Sequence, residues 1–118
     1  MRLFPLMLLL SITAATAWAG PYDGRYRPDH SIGDSWDCKR VGKDGGAILL
    51  TSNIFFAVGS RCNLRDPVRV SGMDATLYSA ICRADGEPWE RRIVIMKTEN
   101  GIAVVKSGAR ISMLRKCE

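Results

Sequence analysis

A single histidine, His30, serves the whole 118-residue chain, and it sits in a stretch dominated by glycine, proline and charge. Nucleophilic schemes of the Ser-His-Asp or Cys-His kind need an imidazole held rigidly against the nucleophile, so they find no support here. Close cysteine pairs of the C-x-x-C type are missing too, which speaks against a zinc site. Aromatic residues make up only 8% of the chain, and no motif orders them for base stacking, so nucleic acid is not an expected partner. Helical periodicity is absent from every window of about twelve residues. The acidic residues offer no catalytic pair. Glu87 and Glu90, like Asp34 and Asp37, are three positions apart and fall on opposite faces of a strand. The sequence therefore points to a non-enzyme without cofactor or metal.

Export is the clearest positive signal. Met1-Arg2 supplies a basic start, Leu3 to Leu10 an apolar run, and Ala17-Trp18-Ala19 a small-residue close before Gly20. These are the three parts of a secretory signal peptide. A transmembrane anchor needs about 20 continuous apolar residues. This run is interrupted by Pro5 and drifts into Ser11, Thr13 and Thr16. A lipid anchor would require a cysteine at the cleavage point, and the first one is Cys38. Residues 1–19 are expected to be removed, leaving a periplasmic or secreted protein with no later membrane span.

The four cysteines, Cys38, Cys62, Cys82 and Cys117, all lie beyond that segment. An even count in a short exported chain reads as two disulfides. Three pairings are possible. A closed barrel favours Cys38–Cys117, between opening and closing strands, and Cys62–Cys82, between strands close in sequence.

Residues 20–35 (GPYDGRYRPDHSIGDS) show no apolar period and read as a flexible leader. From residue 36 to 118 short apolar runs alternate with turn residues. Strand candidates are Trp36 to Arg40, Ala47 to Thr51, Ile54 to Val58, Val68 to Val70, Thr76 to Arg83, Trp89 to Thr98, Ile102 to Lys106 and Ala109 to Cys117. A short helix fits only Asn63 to Asp66. Asn100-Gly101 predicts a type I′ hairpin, in which both central residues take positive φ. The expected fold is all-β: one small antiparallel barrel, or a sandwich, of seven or eight strands.

Seventeen Lys+Arg against twelve Asp+Glu give a net charge of +5, one unit of it on Arg2. Arg61, Arg65, Arg69, Arg83, Arg91 and Arg92 cluster in sequence and form a candidate binding face, since guanidinium matches carboxylate and phosphate. Trp36 and Trp89 read as core plugs or barrel-end caps, with Trp89 also a possible interface residue. Phe55 and Phe56 must point to opposite faces of a strand.

Two resemblances attach to these landmarks. Trp36-x-Cys38, Cys62, Cys82 followed by Gly86-Glu87-Pro88-Trp89, and the closing Leu114-Arg115-Lys116-Cys117 resemble a loose group of small exported bacterial two-disulfide β-barrel proteins of unknown function. That likeness implies a fold type and an exported location, but no active site. Ser71-Gly72 is similar to part of the Ser-Gly-x-x-Tyr stretch that periplasmic inhibitors of c-type lysozyme present to the enzyme's cleft. Here Tyr78 stands six residues past Gly72 rather than three, and Lys97 is a candidate for the companion lysine loop. The likeness makes Ser71 and Gly72 interface candidates. The functional expectation is an exported binding domain of unknown partner; the alternatives are an inhibitor of a lysozyme-type hydrolase and a binder of an anionic envelope polymer met by the arginines.

Overall fold

The computed structural model describes residues 20–118, and the expected signal segment, residues 1–19, lies outside the described residues. Eight antiparallel strands follow one another around a closed barrel: β1 Gly24–Pro28, β2 Ile48–Leu50, β3 Ile54–Ala57, β4 Ser60–Arg69, β5 Ala75–Arg83, β6 Pro88–Lys97, β7 Gly101–Lys106 and β8 Arg110–Lys116. Closure comes from β8 pairing back onto β1, with Tyr26 opposite Lys116 and Pro28 opposite Leu114. A closed meander leaves no free strand edge, which removes the usual template for aggregation.

Period-two alternation fills the interior. On β5, Thr76, Tyr78, Ala80 and Cys82 point inward, and on β6 so do Ile93 and Ile95. Tyr26, Leu50, Ile102, Val104 and Leu114 complete the core from the other strands. Phe55 is buried inside. Phe56, on the outer face, is covered by Gly42, where a Cβ would run into the phenyl ring, and by the Arg61 guanidinium, 5.7 Å from the ring centroid.

The expected flexible leader is instead part of the barrel. Tyr22 and Tyr26 are 2% and 1% exposed, and Tyr26 Oη donates to the Tyr22 carbonyl at 2.7 Å. Residues 24–26 pair with residues 48–50 of β2. Two tyrosines bury enough ring to order a segment that shows no aliphatic period. Trp36 to Arg40, expected to open the sheet, forms no strand. A 3₁₀ turn at Ser31–Ser35 leads into it, and the 36–47 loop folds on itself through Cys38 N–H to the Gly46 carbonyl and Ala47 N–H to the Arg40 carbonyl. Asn63 to Asp66 forms no helix: Asn63 to Arg65 pair with β5 as part of β4, and Asp66 takes φ 51° within the same strand.

Turn chemistry also departs from expectation at Asn100-Gly101. Neither residue takes positive φ. Thr98 and Gly101 instead flank the turn, with Thr98 N–H donating to the Gly101 carbonyl at 3.0 Å and Gly101 N–H to Thr98 Oγ1 at 3.1 Å. Gly101 is required for a different reason: a Cβ there would collide with the Leu114 carbonyl and the Arg115 backbone on β8.

Both expected disulfides form. Cys62 and Cys82 are buried register partners of β4 and β5. Cys38–Cys117 ties the 36–47 loop, rather than an opening strand, to the residue following β8, where Cys117 N–H also bonds the Arg25 carbonyl.

Candidate functional site

The arginines singled out in the sequence do not share one face. Arg61 and Arg83 are direct partners on the outside of β4 and β5. Arg65 and Arg92 flank Ser79, also outside, in a single register row across β4, β5 and β6. A regular strand would add Arg69 to this set, since positions 61, 65 and 69 have one parity. The strand is not regular. A bulge between Arg65 and Val68, where Asp66 takes φ 51°, inserts one extra residue and turns Arg69 inward. There its guanidinium donates to Tyr22 Oη and Thr76 Oγ1, each at 3.0 Å, and pairs with Asp74 at 3.2 Å. Arg69 is thus a cross-tie at one barrel end. Arg91, next to Arg92, faces inward and lies 5.8 Å from the Trp89 ring centroid.

Arg61, Arg65, Arg83 and Arg92 form the outer set. Among the described residues, ion pairs engage Arg40, Arg69 and Arg115, and none engages these four. A shallow groove of about 460 Å³ runs along the wall between Arg65, Asp66, Ser79, Glu90 and Arg92, and Arg91 also lines it. Its two carboxylates make it mixed in sign rather than a purely cationic channel.

Beside this row the outer wall becomes apolar. Val68, Leu77, Val94, Val105 and Ile111 stand in one register row from β4 to β8. Met96, Ala103 and Met113 make the next row. Ile111 is 63% exposed, Val68 56% and Met113 45%. This band is absent from the candidate faces named above, although the sequence carries its signal. Ile93 to Met96 and Ile102 to Val105 are apolar at every position, and an antiparallel strand with one wetted face should alternate.

Ser71 and Gly72 are exposed in the β4–β5 hairpin, with Gly72 at φ 78° and open space where a Cβ would stand. Lys97 N–H donates to the Asp74 carbonyl at 2.9 Å, so the hairpin and the Lys97 turn are neighbours. Tyr78 is buried in the barrel, and burial pushes its phenol up from the ordinary value. The hairpin therefore presents no tyrosine. Trp89 is half-buried against the core, and its indole N–H is buried without an acceptor among the described residues.

The acids weighed as catalytic pairs are exposed. Asp34 bonds Arg115 at 2.6 Å. Asp37 accepts from Arg40 Nε at 2.7 Å and from the Lys39 and Arg40 N–H groups, and these donors lower its pKa to about 2.

The fold and wall define a class, the small two-disulfide closed barrel with an amphipathic outer face. Comparison with protein-family models, with curated proteins and with solved structures finds no match to this chain.

Proposed function

We propose that this chain is an exported binding domain that docks a partner protein against the outer wall of β4 to β8. The observation that carries the reading is the adjacency of two outward-facing apolar rows, in which Val68, Ile111 and Met113 are exposed, to a row of arginines that form no ion pair among the described residues. Exposed contiguous apolar surface on a soluble domain marks interaction sites. The arginines beside it match carboxylates and set orientation and encounter rate. The matching surface is an apolar patch rimmed by Asp and Glu. A polyanionic polymer would engage the arginines but has nothing to set against Val68, Ile111 and Met113. Two disulfides fit the oxidising compartment to which the signal segment points.

The test is capture by the immobilised oxidised protein from envelope extract and secreted fluid, compared across variants. One partner should be captured by the wild type and by Asp44→Lys, which lies on the 36–47 loop outside the two apolar rows. It should be lost both with Ile111→Asp/Met113→Asp and with Arg65→Glu/Arg92→Glu. Capture unaffected by the apolar-row variants would defeat the reading. Sensitivity to the arginine reversals and to salt alone would replace the protein partner by an anionic polymer.

The lysozyme-inhibitor reading has one observation in its favour, the contact between the Ser71-Gly72 hairpin and the Lys97 turn. Slowed lysis of a cell-wall suspension by c-type lysozyme, with the domain in molar excess, would move the binding site from the wall to that hairpin.

A further inference from the structure

The inward parity that removes Arg91 from the outer wall places it in a second cluster at one mouth of the barrel. Trp89 and Arg91 on β6, Lys106 on β7 and Arg110 on β8 all belong to inward-facing rows. Lys106 stands directly opposite Arg110 across the β7–β8 pair. It is also opposite Ile93, two residues beyond Arg91 on the same face of β6. Its ammonium reaches across the bore to within 5.7 Å of the Phe55 ring centroid on β3. Arg91 covers Trp89, whose buried indole N–H has no acceptor among the described residues.

Like charges placed directly opposite on one face of an antiparallel pair destabilise it. Partial burial raises that cost, because an unpaired ion loses hydration without a counter-charge. Burial first, then Arg91 and Arg110, hold the Lys106 ammonium below the ordinary lysine range. Among the described residues, no carboxylate forms an ion pair with Arg91, Lys106 or Arg110. Every polar side-chain group of Trp89, Arg91, Lys106 and Arg110 is a donor. The half-buried Trp89 supplies ring surface beside them, and the buried Phe55 ring lies beneath the Lys106 ammonium.

We infer that this mouth is a binding site for a phosphate group, held by Arg91, Lys106 and Arg110 with the Trp89 indole N–H as a further donor. Guanidinium forks suit phosphate oxygens bidentately, and the lysine adds a point charge between them. Arg91 also lines the outer groove, but Lys106 and Arg110 do not, so variants at those two test this site apart from the protein-docking reading.

Titration of the oxidised protein with inorganic phosphate, followed by tryptophan fluorescence and calorimetry, tests the inference. Saturable binding is expected. Lys106→Met and, separately, Arg110→Gln should each weaken it about tenfold or more, the worth of one charge-assisted contact. Arg92→Met, on the outer face of the same strand as Arg91, should leave it unchanged. In phosphate-free buffer Lys106→Met should melt no lower than the wild type, since it relieves repulsion; this separates loss of a ligand from loss of fold. A sugar phosphate binding more tightly than inorganic phosphate would identify the phosphorylated end of a glycan as the source, with the half-buried Trp89 ring against the sugar. Equal affinity would identify the free ion. No saturable response, or equal response in wild type, Lys106→Met and Arg110→Gln, overturns the proposal.

Discussion

Cys62 and Cys82 face each other as register partners of β4 and β5, their Cα atoms 3.9 Å apart, and the same inward row continues to Phe55 on one side and Trp89 on the other. The bridge therefore staples strands already held by their ladder. Cys38–Cys117 spans 79 positions and joins a loop to the residue after β8, beside the seam where β8 meets β1.

The two bridges should contribute unequally. In the chain-entropy account the longer loop is worth about 4.5 kcal/mol and the shorter about 3.3 kcal/mol. Paired Cys→Ser variants should both melt below the wild type, the Cys38/Cys117 pair by more. Thermal unfolding followed by circular dichroism checks the order. A larger loss from the Cys62/Cys82 pair would mean that the inward row, not loop closure, governs the stability.

The first strand makes a sharper prediction. Tyr26→Phe removes one buried hydrogen bond and leaves the Tyr22 carbonyl without that donor, a loss of about 1–3 kcal/mol. Tyr26→Ala also empties a core position and should cost about 3–5 kcal/mol, as for other buried aromatics. Denaturant unfolding measures both. Unchanged midpoints would return residues 20–35 to the status of a leader.

Gly101 should be sensitive to alanine and Asn100 nearly indifferent to it. Gly101→Ala drives a Cβ into the β8 backbone and should destabilise by about 1–3 kcal/mol. Asn100→Ala should fall within about 0.5 kcal/mol, since Asn100 does not take positive φ and is exposed. Equal effects in the two melts would restore the type I′ turn.

Alkaline pH should weaken the fold. Burial raises the Tyr26 phenol, with Asp23 adding to it, and burial also raises Tyr78. An acid whose folded pKa lies above its unfolded value of 10.0 stabilises the native state below that value. That stability is lost as pH rises through the folded pKa. Phenolate absorbance should therefore show Tyr26 and Tyr78 ionising above pH 10.0 in the native protein, with the melting temperature falling over the same range. Ionisation at the ordinary value would mean that water reaches both rings.

What the sequence by itself determined is what short-range chemistry can encode. Alternation and turn residues marked most of β2 to β8, and an even cysteine count in a short chain marked two bridges. Tertiary structure decided the rest, because those features depend on partners distant in the chain. β1 is a strand only because β2 and β8 supply its ladder and the core accepts two tyrosine rings. Asn100-Gly101 has the composition of a type I′ turn, yet close packing of β7 on β8 claims the glycine instead. The arginines were legible as a cluster but not as a site. One extra residue near Asp66-Pro67 reverses the parity of Arg69, and parity alone divides Arg91 from its neighbour Arg92. Facing is a property of the sheet, and a sequence shows it only where the ladder runs unbroken.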